Sequence, residues 1–185
     1  DGETARDFDD AVWVDILPSG NYALQVHIAD VSHYVRPGSA IEREATLRGT
    51  SVYFPDRVIP MLPRELSEDL CSLKPRVDRL AFTVEIDFSK TGERLRTQLY
   101  PSVITSNDRL TYTAAAGIID GQSPELRVRF HYLLKEFEVM VALCDLLKGR
   151  RRTVDAGFPF AETCYITIQE AISPHPHRAA RFRQV

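Results

Sequence analysis

The chain has 185 residues, of which 44% are hydrophobic and 26% charged, and its formal net charge is −3. This balance describes a globular chain and excludes disordered and low-complexity classes. No apolar run reaches the length of a helical membrane span and no signal peptide is visible, so no membrane partner is expected.

The charge is unevenly spread. Residues 1–15 hold six acids against one arginine, whereas from Leu126 onward ten Lys and Arg face six acids. An acidic centre in a more basic remainder suits a metal site that handles a polyanion, and ordinary surface scatter gives the same imbalance. Three cysteines, Cys71, Cys144 and Cys164, have no C-x-x-C spacing. Their odd number argues against a disulfide framework and for a reducing, cytoplasmic setting. Cys71 and Cys144 lie in apolar runs and are expected in the core. The chain opens without Met inside its most informative motif, so a piece of a longer protein is expected.

That motif is the first eleven residues, where Asp1, Asp7, Asp9 and Asp10 follow the order D-x5-D-x-D-D. Carboxylates this close repel one another and need either full solvation or a cation. Asp oxygens are hard ligands suited to Mg2+, which takes one or two carboxylates and leaves room for water and a phosphate. Spacing alone leaves two readings open, a solvated acidic loop and a divalent-metal site. Behind the cluster, Ala11 to Leu17 alternates as a strand, with Val12, Val14 and Ile16 on one face. Residues 18–21 turn it into a second strand, Tyr22 to Asp30, which makes a hairpin. His27 is expected to be structural, bonded to backbone. Asp30 and Ser32 are expected to hold the turn that follows.

Ser39 and Glu42 form a capping box for a helix that Gly49 closes. Tyr53 and Phe54 are adjacent, so on a strand they face opposite ways, and by composition alone both are expected in the core. Pro63 starts a short helix to Leu70, with Leu66 and Leu70 inward. Leu80 to Phe88 alternates cleanly, and residues 89–92 turn it into a partner strand, Glu93 to Ile104. On that strand Arg94 and Arg96 are expected to be solvated. Thr111 to Asp120 reads as a helix stopped by Gly121. Ser123 and Pro124 then start the longest helix, to about Lys148. Its apolar stripe is Leu126, Phe130, Leu133, Leu134, Phe137, Val141, Cys144 and Leu147. Cations follow it, as the helix dipole favours. Thr163 to Ile172 suggests one more element, and residues 173–185 read as an unfolded basic tail in which His175 and His177 lack partners for a metal.

An EF-hand loop is excluded because no Gly follows the Asp cluster at the required position. Walker, G-x-G-x-x-G and G-x-S-x-G motifs are absent, as are zinc-type cysteine pairs. The stretch instead resembles the signature of the RNB exoribonucleases, the ribonuclease II and ribonuclease R family. The resemblance continues through residues 26–35 (V-H-I-A-D-V-S-H-Y-V), 48–53 (R-G-T-S-V-Y) and 60–63 (P-M-L-P). It runs on through Leu66-Ser67, Leu70-Cys71-Ser72-Leu73, Asp78-Arg79 and Arg109-Leu110-Thr111-Tyr112. These blocks come in family order over about residues 1–113.

The resemblance implies Mg2+-dependent, 3′-to-5′ hydrolysis of single-stranded RNA to nucleoside 5′-monophosphates, in some members within a larger RNA-degradation assembly. By position it implies Asp1, Asp7 and Asp10 as metal ligands, with Asp9 the carboxylate most critical for turnover. It implies Tyr53 as an RNA-stacking aromatic, which overrides the core reading for that residue, and Tyr112 as an RNA-site tyrosine. The expected fold is α+β, with a mixed or antiparallel sheet built from hairpins and packed by helices. Residues 1–155 are expected to be the N-terminal part of the RNB catalytic domain, and 156–185 a divergent, poorly ordered tail. The later helix with paired Glu residues, a phosphate-contacting Arg and the flanking OB-type domains of the family find no counterpart here. The alternative is a truncated, inactive fragment that binds RNA or a protein partner.

Overall fold

The structure is a computed structural model, and it describes residues 3–154. Four strands form one antiparallel sheet in the order β1-β2-β5-β6. These are β1 (Asp10–Ile16), β2 (Tyr22–Ala29), β5 (Asp78–Phe88) and β6 (Arg94–Thr105). Between β2 and β5 lie α1 (Val31–Tyr34), α2 (Ala40–Arg48), a short hairpin of β3 (Val52–Tyr53) and β4 (Val58–Ile59), and a π turn at Leu66–Leu70. After β6 come α3 (Tyr112–Ile119), α4 (Pro124–Arg129), a 3-10 turn at His131–Leu133 and α5 (Leu134–Val154). The α+β class and the two predicted hairpins are as expected, and the sheet is wholly antiparallel. No helix among the described residues is long and apolar enough to cross a membrane.

Period-two alternation gives the sheet two distinct faces. Register places Val12 opposite Val26, Val14 opposite Leu24 and Leu24 opposite Ile86. That face carries the main core of Val14, Leu24, Val26, Val84, Ile86 and Phe88, closed by Val139 and Leu143 of α5. The other face holds Ala29 opposite Ala81. These small residues let a second core approach closely, formed with Leu66, Cys71 and Leu73. Phe8, from the acidic segment, packs into this second core.

The longest predicted helix is two helices. It breaks at Phe130, which leaves helical geometry at φ −107°, ψ 30° and buries its ring. The run Phe130-His131-Tyr132 consists of weak helix formers, and Tyr132 is drawn away by donating to Asp108 Oδ2 at 2.7 Å. The break rotates the stripe. Val139 and Leu143, with Met140 and Leu147, face the sheet. Leu134, Phe137 and Val141 instead line a groove against Ile119 and Arg127. Ser123 makes no side-chain cap, although Pro124 does hold the first position.

Smaller corrections have equally local causes. Only half of the predicted capping box forms. The Ser39 hydroxyl accepts from Glu42 N at 3.1 Å, but the Ser39 N–H is taken by Arg36 O. In the π turn Cys71 N–H donates to Leu66 O, so Cys71 and not Leu70 is buried beneath Leu66. Phe54, expected in the core, is 45% exposed, and Tyr53 is 70% exposed, because the hairpin that carries them lies outside both cores. Arg96 lies 3.9 Å from Asp87 at an exposed position, and Arg150 at the end of α5 reaches Thr91 O and Glu93 in the β5–β6 turn. The expectations for Cys164, 163–172, His175, His177 and the tail from 156 lie outside the described residues.

His27 is structural, as expected, but its partner is a side chain. Its Nδ1 and the Thr83 hydroxyl share a 2.7 Å hydrogen bond, and Thr83 in turn bonds Ser102. Ser102 Oγ donates to Ala81 O. The chain of donors orders itself only if Nδ1 carries the proton and donates to Thr83. Burial pushes the His27 pKa below its ordinary 6.5. The unfolded state therefore binds the proton first as pH falls. The stability contributed by neutral His27 is full above 6.5 and is lost as pH drops through that value toward the folded pKa. The thermal midpoint is expected to fall on acidification below pH 6.5, with a flatter profile in His27→Gln. Parallel profiles for both proteins would contradict this role.

Candidate active site

From residue 3, where the described chain begins, the acidic segment has no helix or strand before β1 starts at Asp10. Chain contacts from three directions fix it instead. Ala29 N–H at the end of β2 donates to Asp9 O at 2.9 Å. The turn after the π helix supplies Leu73 N–H to Phe8 O at 2.8 Å. In that same turn the Ser72 hydroxyl accepts from Phe8 N–H and donates to Arg6 O, both at 3.0 Å. From the third side Arg109 Nη2 donates to Glu3 O at 3.3 Å, and its guanidinium lies 5.1 Å from the Phe8 ring centroid.

Glu3 closes the third contact through its own carboxylate. Hydrogen bonds from Thr113 and Thr111, with the charge of Arg109, lower its pKa. Thr111 is also the N-cap of α3 and accepts from Ala114 N at 3.1 Å. The start of the acidic segment is thus tied to the helix end that presents Tyr112, which is 69% exposed.

This backbone course strings Asp7, Asp9 and Asp10 close enough for the charges of Asp7 and Asp10 to act on Asp9. Asp9 stays open to solvent, but nearby protein desolvates its carboxylate, and the charges of Asp7 and Asp10 add to the effect. Its pKa is raised above the ordinary Asp value. The Cys71 thiol is pushed up by burial and then by the charges of Asp30 and Asp9, so Asp30 stands on the same side. The Asp30 carboxylate is already engaged, accepting from Ser32 Oγ at 2.6 Å and His33 N at 3.1 Å as the cap of α1.

Among the described residues no group of three His, Cys, Asp or Glu stands close enough to hold a metal ion. Asp1, the remaining expected ligand, lies outside the described residues. The donor set nonetheless fits a hard divalent cation. It consists of carboxylate oxygens only, and Mg2+ needs one or two of them, the rest of its shell being water and phosphate oxygen. A cation there would offset the charge repulsion among these carboxylates that adds to the desolvation of Asp9.

Tyr53 sits apart from this cluster, on β3. Two contacts hold its hairpin: Arg48 Nη1 donates to Pro60 O at 2.9 Å, and Met61 N–H donates to Ser51 Oγ at 2.9 Å. Phe54 follows in the turn between β3 and β4, with the Arg57 guanidinium 5.4 Å from its ring centroid. Sequence reasoning gave no role to Ser72, Arg109 or Glu3. For Ser72 a signal existed: one hydroxyl between two buried residues, Cys71 and Leu73, needs partners.

The RNB domain family model matches residues 1–169. Ribonuclease R of Aquifex aeolicus is 43% identical over 180 residues, covering 96% of this chain and 25% of that protein. The chain thus spans about a quarter of that relative's length. The structure of Mycoplasma genitalium RNase R with double-stranded RNA superposes with a TM-score of 0.73 at 34% identity, over 83% of this chain and 27% of that one. Yeast Ssd1, a pseudonuclease, shares the fold at a TM-score of 0.66 and 20% identity, over 78% of this chain and 17% of its own.

Proposed function

Because this chain belongs to the RNB family, we propose that it is the carboxylate-bearing part of a Mg2+-dependent 3′-to-5′ exoribonuclease that hydrolyses single-stranded RNA to nucleoside 5′-monophosphates. The observation that carries the reading is the backbone bearing Asp7, Asp9 and Asp10, pinned by contacts from three sides. A fold shared with a pseudonuclease carries no activity by itself. The chemistry rests on these side chains.

Asp1, Asp7 and Asp10 would hold Mg2+, two ions when RNA is bound. Bound there, the metal supplies charge to polarise the scissile phosphate, to activate water and to stabilise the leaving oxygen. The chain's own part is positional. Asp7 and Asp10 would present their carboxylates from one backbone course, with Asp9 between them in the chain as the group that would serve turnover. Tyr53 and Tyr112 both have most of their surface free, and each ring offers a stacking face to a base. A reducing, cytoplasmic setting belongs to the same reading, on the odd number and wide spacing of the cysteines. Membership of a larger RNA-degradation assembly belongs to the same proposal.

A second reading follows from the quarter-length match. In it the chain alone binds RNA and does not turn it over, since partial sites lose the positioning on which rate depends. One experiment separates the two. The chain is incubated with 5′-labelled single-stranded RNA in Mg2+ or EDTA, and products are resolved beside a binding assay. Stepwise shortening in Mg2+ with 5′-monophosphate release supports the first reading. Binding without shortening supports the second, and neither binding nor shortening rejects both. In the binding assay Tyr53→Ala is expected to weaken affinity by about 1–3 kcal/mol, the usual worth of a stacked base. Unchanged affinity would remove Tyr53 from the RNA path.

A further inference from the structure

Ser72 has no exposed surface. A buried hydroxyl must find partners, and Ser72 finds both on one strand of chain, accepting from Phe8 N–H and donating to Arg6 O. The residue between those two groups is Asp7. A single oxygen therefore bridges the backbone on either side of Asp7 and restrains the dihedrals that aim its carboxylate. Leu73 N–H to Phe8 O, from the adjoining residue, locks the same register.

Other contacts of the segment act elsewhere. The Arg109 contacts reach Glu3 and Phe8, and Ala29 holds Asp9 O. Ser72 alone among these brackets a carboxylate residue on both sides. We propose that Ser72 is a positioning residue for Asp7, setting the direction of that carboxylate toward the metal. The inference rests on the metal reading of Asp7 given above.

Mn2+ binding to the chain, followed by isothermal titration calorimetry, tests it. Ser72→Ala leaves Arg6 O and Phe8 N–H without the bridge. Its Mn2+ Kd is expected to rise about tenfold, the lower end of the usual cost of losing a group that orients a ligand. Ser72→Cys keeps the volume with a weak hydrogen-bonding atom, so it carries the same test if the Ala variant does not fold. Ser72→Thr restores a hydroxyl and is expected to recover part of the affinity. The control is Ile118→Val, which alters an equally buried residue in α3. It is expected to lower the melting temperature with the Kd unchanged, the behaviour of a merely structural position.

The decisive comparison uses Asp7→Asn. If Ser72 acts through Asp7, Ser72→Ala adds no further loss of affinity in that background. An unchanged Kd in both Ser72→Ala and Ser72→Cys, or a full additional loss on top of Asp7→Asn, overturns the proposal. Absence of Mn2+ binding by the wild-type chain overturns the metal reading itself, and with it this inference.

Discussion

Asp9→Asn is expected to abolish Mg2+-dependent nucleotide release, by about 10³-fold, the upper range seen when one preorganised electrostatic group is removed from an active site. RNA binding through Tyr53 should persist. The same substitution should leave the thermal midpoint equal to or above that of the wild type. This second expectation comes from sign. Desolvation first, then Asp7 and Asp10, raise the Asp9 pKa above its ordinary 3.8. A raised carboxylate pKa means that the folded state holds the proton more tightly than the unfolded state. Stability is then greatest below the unfolded pKa and declines as pH rises through the folded one. At neutral pH ionised Asp9 opposes folding, and Asn removes that opposition. Rate and melting temperature should therefore move in opposite directions. A variant that loses both would mark Asp9 as a structural residue.

Ile86→Ala is expected to have the largest effect on stability. Ile86 is 1% exposed at the centre of the main core, between Leu24 of β2 and Val84 of its own strand, under Val139 and Leu143 of α5. Truncation removes buried methyl groups and leaves a cavity that a four-stranded sheet closes poorly, a loss of about 2–5 kcal/mol. At roughly 2–4 °C per kcal/mol for a chain of this size, the midpoint should fall by about 10 °C. Leu47→Ala, at a residue 84% exposed on α2, should change stability by less than about 0.5 kcal/mol. Equal effects from the two substitutions would contradict the assignment of the core face.

The sheet was legible because its strands alternate cleanly. Val12 to Ile16, Leu24 to Ile28 and Leu80 to Phe88 each give one apolar face, and their register joins those faces. The α4–α5 break was not legible. Leu126, Phe130, Leu133 and Leu134 keep helical spacing straight through it, and the turn depends on Phe130 leaving helical geometry and on the contact of Tyr132 with Asp108. Tyr53 and Phe54 show the converse limit. Composition alone puts both aromatics in the core, and only the motif around Tyr53 sets it apart, while a two-stranded hairpin away from both cores leaves both exposed.

At the candidate site the carboxylates were visible as a pattern, and the groups that aim them were not. Asp7, Asp9 and Asp10 lie within four residues of one another. Ser72 and Arg109 reach the same segment from positions 66 and 106 residues away, counted from Arg6 and Glu3. A hydroxyl and a guanidinium with no local periodicity carry no signal of where they will dock. Three-dimensional closure of the second core around Phe8 brings them in.

The central claim is that these carboxylates form a divalent-metal site. Its most direct test is an electron paramagnetic resonance titration of Mn2+ into the wild-type chain and into Asp7→Asn/Asp10→Asn. Saturable binding by the wild type that competes with Mg2+ and is lost in the double variant is expected. Equal binding by both proteins, or none by the wild type, would contradict it.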